Sequence, residues 1–223
     1  MAVEDADLKL FLSYRRWNTE GRSCAIFGDI SFPCFGQGKE KSIDEFKTRM
    51  KFDTVHTFDI LGNPTHKINL NEPLPEELCS QYDWLIDGGT IACCFNVAAA
   101  WKNALSLLKE SCYIVHTSNL SGHYGRVFYA VSPSLYRDFY KANNFEILGM
   151  GTKTRQELTW HGFNPNNTYL KEASSSCMNF QELPGIHVEY IPNDSQIYCF
   201  ARREKSVEFT EPIPQHFIDT DGA

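Results

Sequence analysis

Two hydrophobic periods take turns along this chain. Short apolar or β-branched runs at 24–27, 53–60, 84–86, 113–117 and 145–149 read as strands, and 66–70 reads as a weaker one. Between them the spacing becomes helical. Apolar residues fall at 8, 10, 11, 12 and 14, predicting a short helix over 8–17. Val97, Trp101, Ala104, Leu105 and Leu108 share one helix face, predicting a helix over 96–109. Ser42 with Glu45 three residues on has the capping-box form and predicts a helix from Ser42 through Met50. Pro75 predicts a short helix with proline in its first turn. Ser132-Pro133 supplies an N-cap and a first-turn proline for a helix that should stop near Asn143-Asn144. The runs 187–191 and 196–201 flank Pro192-Asn193-Asp194-Ser195, a hairpin signal. Strands alternating with helices, then an antiparallel pair, specify an α/β fold with a mainly parallel sheet.

The polar, irregular stretch 153–184 is longer than an ordinary loop. Its Trp160, His161, Phe163 and Tyr169 suit an ordered insertion or lid. We expect a single domain over 1–208 and a tail over 209–223.

Composition narrows the function. At 223 residues, 42% hydrophobic and 22% charged, the chain is long and apolar enough for a substantial core. A net charge of −7 without a basic stripe argues against a nucleic-acid partner. The acidic start has no apolar core of a signal peptide, and no run approaches a membrane span. The eight cysteines (24, 34, 79, 93, 94, 112, 177 and 199) form neither a disulfide framework nor zinc-ligand spacing. They read as reduced, mostly buried thiols in a cytoplasmic protein with no metal site.

Chemistry concentrates in Tyr82-Asp83-Trp84-Leu85-Ile86-Asp87-Gly88-Gly89-Thr90, where an apolar run ends in an acid, two glycines and a hydroxyl. Open α/β sheets bind ligands at the carboxyl ends of their strands. This turn, the acid Asp59 ending the second strand, the Ser-Pro-capped helix and the closing antiparallel pair together resemble the class I S-adenosylmethionine-dependent methyltransferases, in a branch with Asp-Gly-Gly-Thr after strand four. The resemblance covers the middle two-thirds of the chain and implies a Rossmann-like, mainly parallel seven-stranded sheet with a C-terminal antiparallel hairpin. It also implies S-adenosyl-L-methionine as cofactor. Gly28 and Asp29 would then lie under it, Asp59 would hold the ribose hydroxyls, and Asn69, Leu70 and Asn71 would frame the adenine. Asp87, Gly88 and Thr90 would orient the methionine part or the substrate.

Departures from that family are visible. Only Gly28 stands at the first turn, where the family has Gly-x-Gly-x-Gly, and Gly36-Gln37-Gly38 comes late. Ala92-Cys93 follows Gly-Gly-Thr, where this branch often has an acid and a histidine. Glu110-Ser111-Cys112 replaces Pro-Gly-Gly, and Gly125-Arg126-Val127-Phe128-Tyr129 replaces Gly-His-Gly-Phe-Tyr.

For catalysis, His123 and Tyr124 lie in a glycine-flanked loop after strand five. A histidine there can serve as general base, the plainer reading being a hydrogen-bonded loop residue. His116, at the end of that strand, competes for the role against a packed strand-end reading. Cys93-Cys94 could place a thiol at a helix start, or simply pack as small residues. Tyr129, Tyr136, Tyr140 and Trp160 could line an aromatic pocket, although helix-face packing suits Tyr136 and Tyr140 better. The expected function is methyl transfer to a hydroxyl or amine of a small molecule. The alternative is a catalytically inactive methyltransferase-fold binding protein, working as a homodimer or with a protein partner. A nicotinamide enzyme is disfavoured, since no Gly-x-Gly-x-x-Gly follows the first strand.

Overall fold

The computed structural model describes residues 5–18, 20–32, 35, 39–122, 125–154, 160–163, 168–172, 187–191 and 194–214. Helix α1 (Asp5–Trp17) leads into β1 (Ser23–Phe27), followed by α2 (Lys39–Met50), β2 (Thr54–Asp59) and a two-residue β3 (His66–Lys67). Then come β4 (Tyr82–Asp87), α3 (Val97–Leu107), β5 (Leu108–Asn119), α4 (Pro133–Ala142) and β6 (Phe145–Thr154). The chain closes with β7 (His161–Gly162), β8 (Thr168–Glu172), β9 (His187–Ile191) and β10 (Ser195–Arg203).

Among the described residues, eight strands form one sheet in the order β3-β2-β1-β4-β5-β10-β6-β7. β1 pairs in parallel with β2 and β4, and β4 with β5. β10 inserts antiparallel between β5 and β6. The sheet is thus mainly parallel, with an antiparallel pair at its C-terminal side.

Period-two alternation sends neighbouring side chains to opposite faces, and in β1 both faces are dry. Ala25 and Phe27 join the cluster under α3 and α4, with Trp101, Ala104, Tyr136, Phe139 and Tyr140. Cys24 and Ile26 join the cluster under α1 and α2, with Leu8, Phe11, Phe46, Met50 and Trp84. Each fully buried large side chain contributes roughly 1.5–3 kcal/mol to this three-layer packing.

The structure corrects several expected boundaries. α2 starts at Lys39, so Ser42 lies inside the helix, 1% exposed, and is no cap. Pro75 caps the 3-10 turn Glu76–Leu78 instead of occupying its first turn. The strand expected over 66–70 stops at Lys67. The β6–β10 ladder is the antiparallel pair that closes the sheet, whereas β9 pairs in parallel with β8 in a separate two-stranded sheet. The expected hairpin is therefore not formed, since β9 and β10 belong to different sheets. Ser132 caps α4 as expected, accepting from the amide of Ser134, and Asn96 caps α3, accepting from that of Ala99. The start of the expected tail is docked. Phe209 packs beside Phe139, and Asn143 exchanges two hydrogen bonds with the main chain of Thr210.

Candidate functional site

A cavity of about 770 Å³ opens along the carboxyl edge of the parallel strands, within the range of small-molecule sites. Its walls come from the ends of β1, β2, β4 and β5 and the segment after β3, joined by the start of β10 and one residue of α1.

At the β2 end, Asp59 Oδ2 accepts from the main-chain N–H of Asp29 at 2.6 Å, and Oδ1 from that of Leu61 at 3.1 Å. A carboxylate offers about four acceptor positions. Two remain for a ligand, and the main chain has already set its orientation. Beside it Ile60 and Leu61 stand 51% and 71% exposed, and Ile68 and Leu70 complete an apolar slot. Gly28 forms the floor with φ +104, a left-handed value that favours glycine, and its N–H bonds the Phe58 carbonyl. Asn69 Oδ1 accepts from both the main chain and side chain of Asn71. Asn71 Oδ1 in turn accepts from the amide of Asn96 just before α3. Together they brace this wall of the cavity against a helix start.

At the β4 end, Asp87 Oδ1 accepts from the N–H groups of Gly89, Thr90 and Ile91 at 3.1, 2.8 and 3.3 Å. The carboxylate is 1% exposed and holds the turn from beneath. Its other oxygen accepts from His116 Nδ1 at 3.0 Å, and His116 Nε2 bonds the Tyr140 hydroxyl. Burial pushes the Tyr140 hydroxyl far above its ordinary range, so it stays protonated and donates to Nε2. Gly89 has φ +102, and a Cβ there would lie 3.2 Å from the Thr117 carbonyl.

No family model matches the chain, and no curated protein matches it by sequence. Solved structures do match. The 1,6-didemethyltoxoflavin-N1-methyltransferase of Burkholderia thailandensis, bound to 1,6-didemethyltoxoflavin and S-adenosylhomocysteine, aligns at TM-score 0.51 and 11% identity. That alignment covers 89% of this chain and 78% of the other. The N-methyltransferase NodS of Bradyrhizobium japonicum WM9, in complex with S-adenosylhomocysteine, aligns at TM-score 0.50 and 7% identity, over 91% and 89%. The chain has the methyltransferase fold. It also spans 48% of a Rhodobacter sphaeroides chain assigned as a zinc-dependent alcohol dehydrogenase, at 16% identity, TM-score 0.38 and 53% of its own length.

Within the methyltransferase fold, the structure brings Gly28, Asp59, Asn69, Leu70, Asn71, Gly88 and Thr90 to one cavity. Three expected residues lie elsewhere. Asp29 is not in the lining; its Oδ2 accepts from the main chain of Asn63. Asp87 and His116 lie beneath the floor, and both ring nitrogens of His116 are engaged, so it has no lone pair for an acceptor's proton. His123 and Tyr124 fall outside the described residues.

Cys93 lines the cavity, but on the three-residue 3-10 turn Ile91–Cys93, too short to lower a thiol pKa. Burial raises both thiols, Cys94 to about 12. Tyr136 and Tyr140 pack in the core. Tyr129 donates to the Phe95 carbonyl, and Trp160 stands edge-on to Tyr198.

The cavity also contains Asp7, Ile60, Leu61, Arg126 and Gln196, which sequence reasoning did not select. An apolar pair directly after the strand-end acid and before Gly62 was a usable signal for Ile60 and Leu61. Nothing local marks Asp7, which reaches the cavity only because α1 packs across the sheet. No helix among the described residues is long and apolar enough to cross a membrane, and no group there could hold a metal ion.

Proposed function

We propose that this protein binds S-adenosyl-L-methionine and transfers its methyl group to a hydroxyl or amine of a small molecule. The observation that carries the reading is the Asp59 end of the cavity. There a braced carboxylate with spare acceptor positions adjoins an apolar slot, which suits a ribose diol beside an adenine. Asp59 would hold the hydroxyls, Ile60, Leu61, Ile68 and Leu70 would cover the base, and the 88–90 turn would face the remainder. The bound cofactor supplies an electrophilic methyl group. The chain's part is to orient the acceptor and exclude water, which alone can lower the barrier by many orders of magnitude in rate. A cytoplasmic setting, a small-molecule partner and no nucleic-acid or membrane partner belong to the same reading. The six free cysteines among the described residues, four of them buried, suit a reducing compartment.

Calorimetric titration with S-adenosylmethionine and S-adenosylhomocysteine tests it. Stoichiometric binding is expected, weakened about 10- to 100-fold in Asp59→Ala, the scale of hydrogen bonds to a charged group. Unchanged affinity in that variant would sink the assignment.

A second reading is an inactive binding protein of the same fold. The single glycine at the β1 turn and Ala92-Cys93 after Thr90 favour it. Turnover on any acceptor refutes it, whereas cofactor binding alone does not.

A further inference from the structure

We propose that a second cleft, on the edge of the sheet opposite the Asp59 cavity, binds the phosphate group of a small phosphate monoester. The inference goes beyond the methyltransferase reading and does not rest on it, since the two linings share no residue.

The Asp59 cavity lies at the carboxyl ends of the parallel strands. A cleft of about 510 Å³ lies at their amino ends, between the second half of α3, the start of β5, the end of β10 and the segment 206–209. Ser80, just before β4, closes one side. Its lining holds three cations, Lys102, Lys109 and Arg203, and one acid, Glu110. In a chain of net charge −7 this is a local reversal of sign.

Two of those cations have no acid partner. Arg203 is only 4% exposed. Its Nε donates to the Glu110 carbonyl at 3.4 Å and its Nη2 to the Lys109 carbonyl at 3.2 Å, and the guanidinium lies 4.9 Å from the centre of the Phe145 ring. It also bonds the Cys112 thiol, which burial pushes up to about 11, so the sulfur stays neutral. Dipoles and a ring thus surround a buried cation, and no carboxylate among the described residues pairs with it. Buried charges are ordinarily paired with an opposite charge. Lys102 is the second. Its Nζ lies 5.5 Å from the centre of the Phe209 ring, which also lines the cleft, and no ion pair among the described residues holds it. Lys109 differs, because its Nζ is already paired with Asp83 Oδ1 at 2.9 Å.

Two uncompensated cations select a dianion. A phosphate monoester carries a charge of about −1.5 to −2 at neutral pH and offers three strong acceptor oxygens. The exposed residues Ser80 and Ser206 bring hydroxyl donors to the same lining. The organic part follows from the apolar side of the cleft, where Leu105 and Phe209 adjoin Val207, itself 45% exposed. An ester with an apolar group covers that surface, and inorganic phosphate does not.

The test is a fluorine NMR titration of the full chain with 4-fluorophenyl phosphate and with 4-fluorophenol. The ester should bind about tenfold more tightly than the phenol, the scale of hydrogen bonds to a charged group. Inorganic phosphate should compete with the ester, but bind more weakly. Lys102→Met should weaken the ester about tenfold and leave the phenol unchanged. Arg203→Gln should weaken it too, but it also strips donors from two main-chain carbonyls, so the exposed Lys102 is the deciding position. Glu110→Gln removes the acid of the lining and should tighten the ester. Saturating S-adenosylhomocysteine should not displace it. No ester binding, an ester bound no more tightly than the phenol, displacement by S-adenosylhomocysteine, or weakening by Arg126→Met but not by Lys102→Met would each overturn the proposal. Cofactor binding is read separately by the Asp59→Ala titration, so failure of either reading leaves the other standing.

Discussion

Both ring nitrogens of His116 are taken, one by Asp87 and one by Tyr140, and the ring is fully buried against Trp101. Its function is to position Asp87, which gathers three consecutive-turn amides under the cavity floor. His116→Ala leaves a buried carboxylate oxygen and a buried phenol without their partner. A loss on the order of 3 kcal/mol is expected in urea unfolding, together with weaker S-adenosylhomocysteine binding as the 88–90 turn loosens. Asp83 offers a different residue-level test. Burial works to raise its pKa, but hydrogen bonds from Lys109, the Ser23 hydroxyl and the amides of Ser23 and Arg22 outweigh it and hold the carboxyl at about 2. The folded value lies below the ordinary 3.8, so the stabilisation is present above pH 4 and lost as pH falls toward 2. Asp83→Asn should therefore cost on the order of 1 kcal/mol at neutral pH, after allowance for partial solvent screening. Urea titrations at a series of pH values should show the gap between parent and variant closing in acid.

At the scale of elements, one side chain ties a helix to the sheet. The Arg15 guanidinium, near the end of α1, donates to the carbonyls of Met50, Asn18, Glu20, Gly21 and Lys51. It also lies over the rings of Phe52 and Trp84. α1 thereby docks across α2 and β1 and carries Asp7 to the cavity. A lysine has neither the planar fork nor enough donors in the right directions. Arg15→Lys should cost about 2–4 kcal/mol in chemical denaturation. How legible each element was depended on how local its determinants are. The cap at Ser132 is satisfied within two residues, and sequence reveals it. Ser42 carries the same local signal as a cap, yet α2 runs back to Lys39, because burying Ser42 and Phe46 against the sheet outweighs a single capping bond. The hairpin signal at 192–195 is equally local, yet β9 and β10 do not pair. Which strand pairs with β10 was settled by β5 and β6, far away in the chain.

Across the whole molecule, the cavity joins segments from residue 7 to residue 196, so a bound ligand should stabilise the fold as a unit. S-adenosylhomocysteine at one hundred times its dissociation constant should add about 2.7 kcal/mol and raise the melting temperature. The shift should shrink in Asp59→Ala, and differential scanning calorimetry checks it. The sequence by itself determined the alternation of buried strands and amphipathic helices, the turn after Asp87 and the acid that ends β2. These follow from short-range periodicity, capping and turn chemistry. It also placed the residues around Asp59 together, because strand ends in a parallel sheet share one edge whatever their distance in the chain. Only the tertiary structure decided that His116 and Asp87 lie under the floor and that Asp7 reaches the cavity. It likewise decided that the first residues beyond Glu208 dock on α4. Those outcomes depend on which side of a packed layer a side chain finds itself, and that is set by contacts between segments distant in the chain, for which a local pattern carries no term.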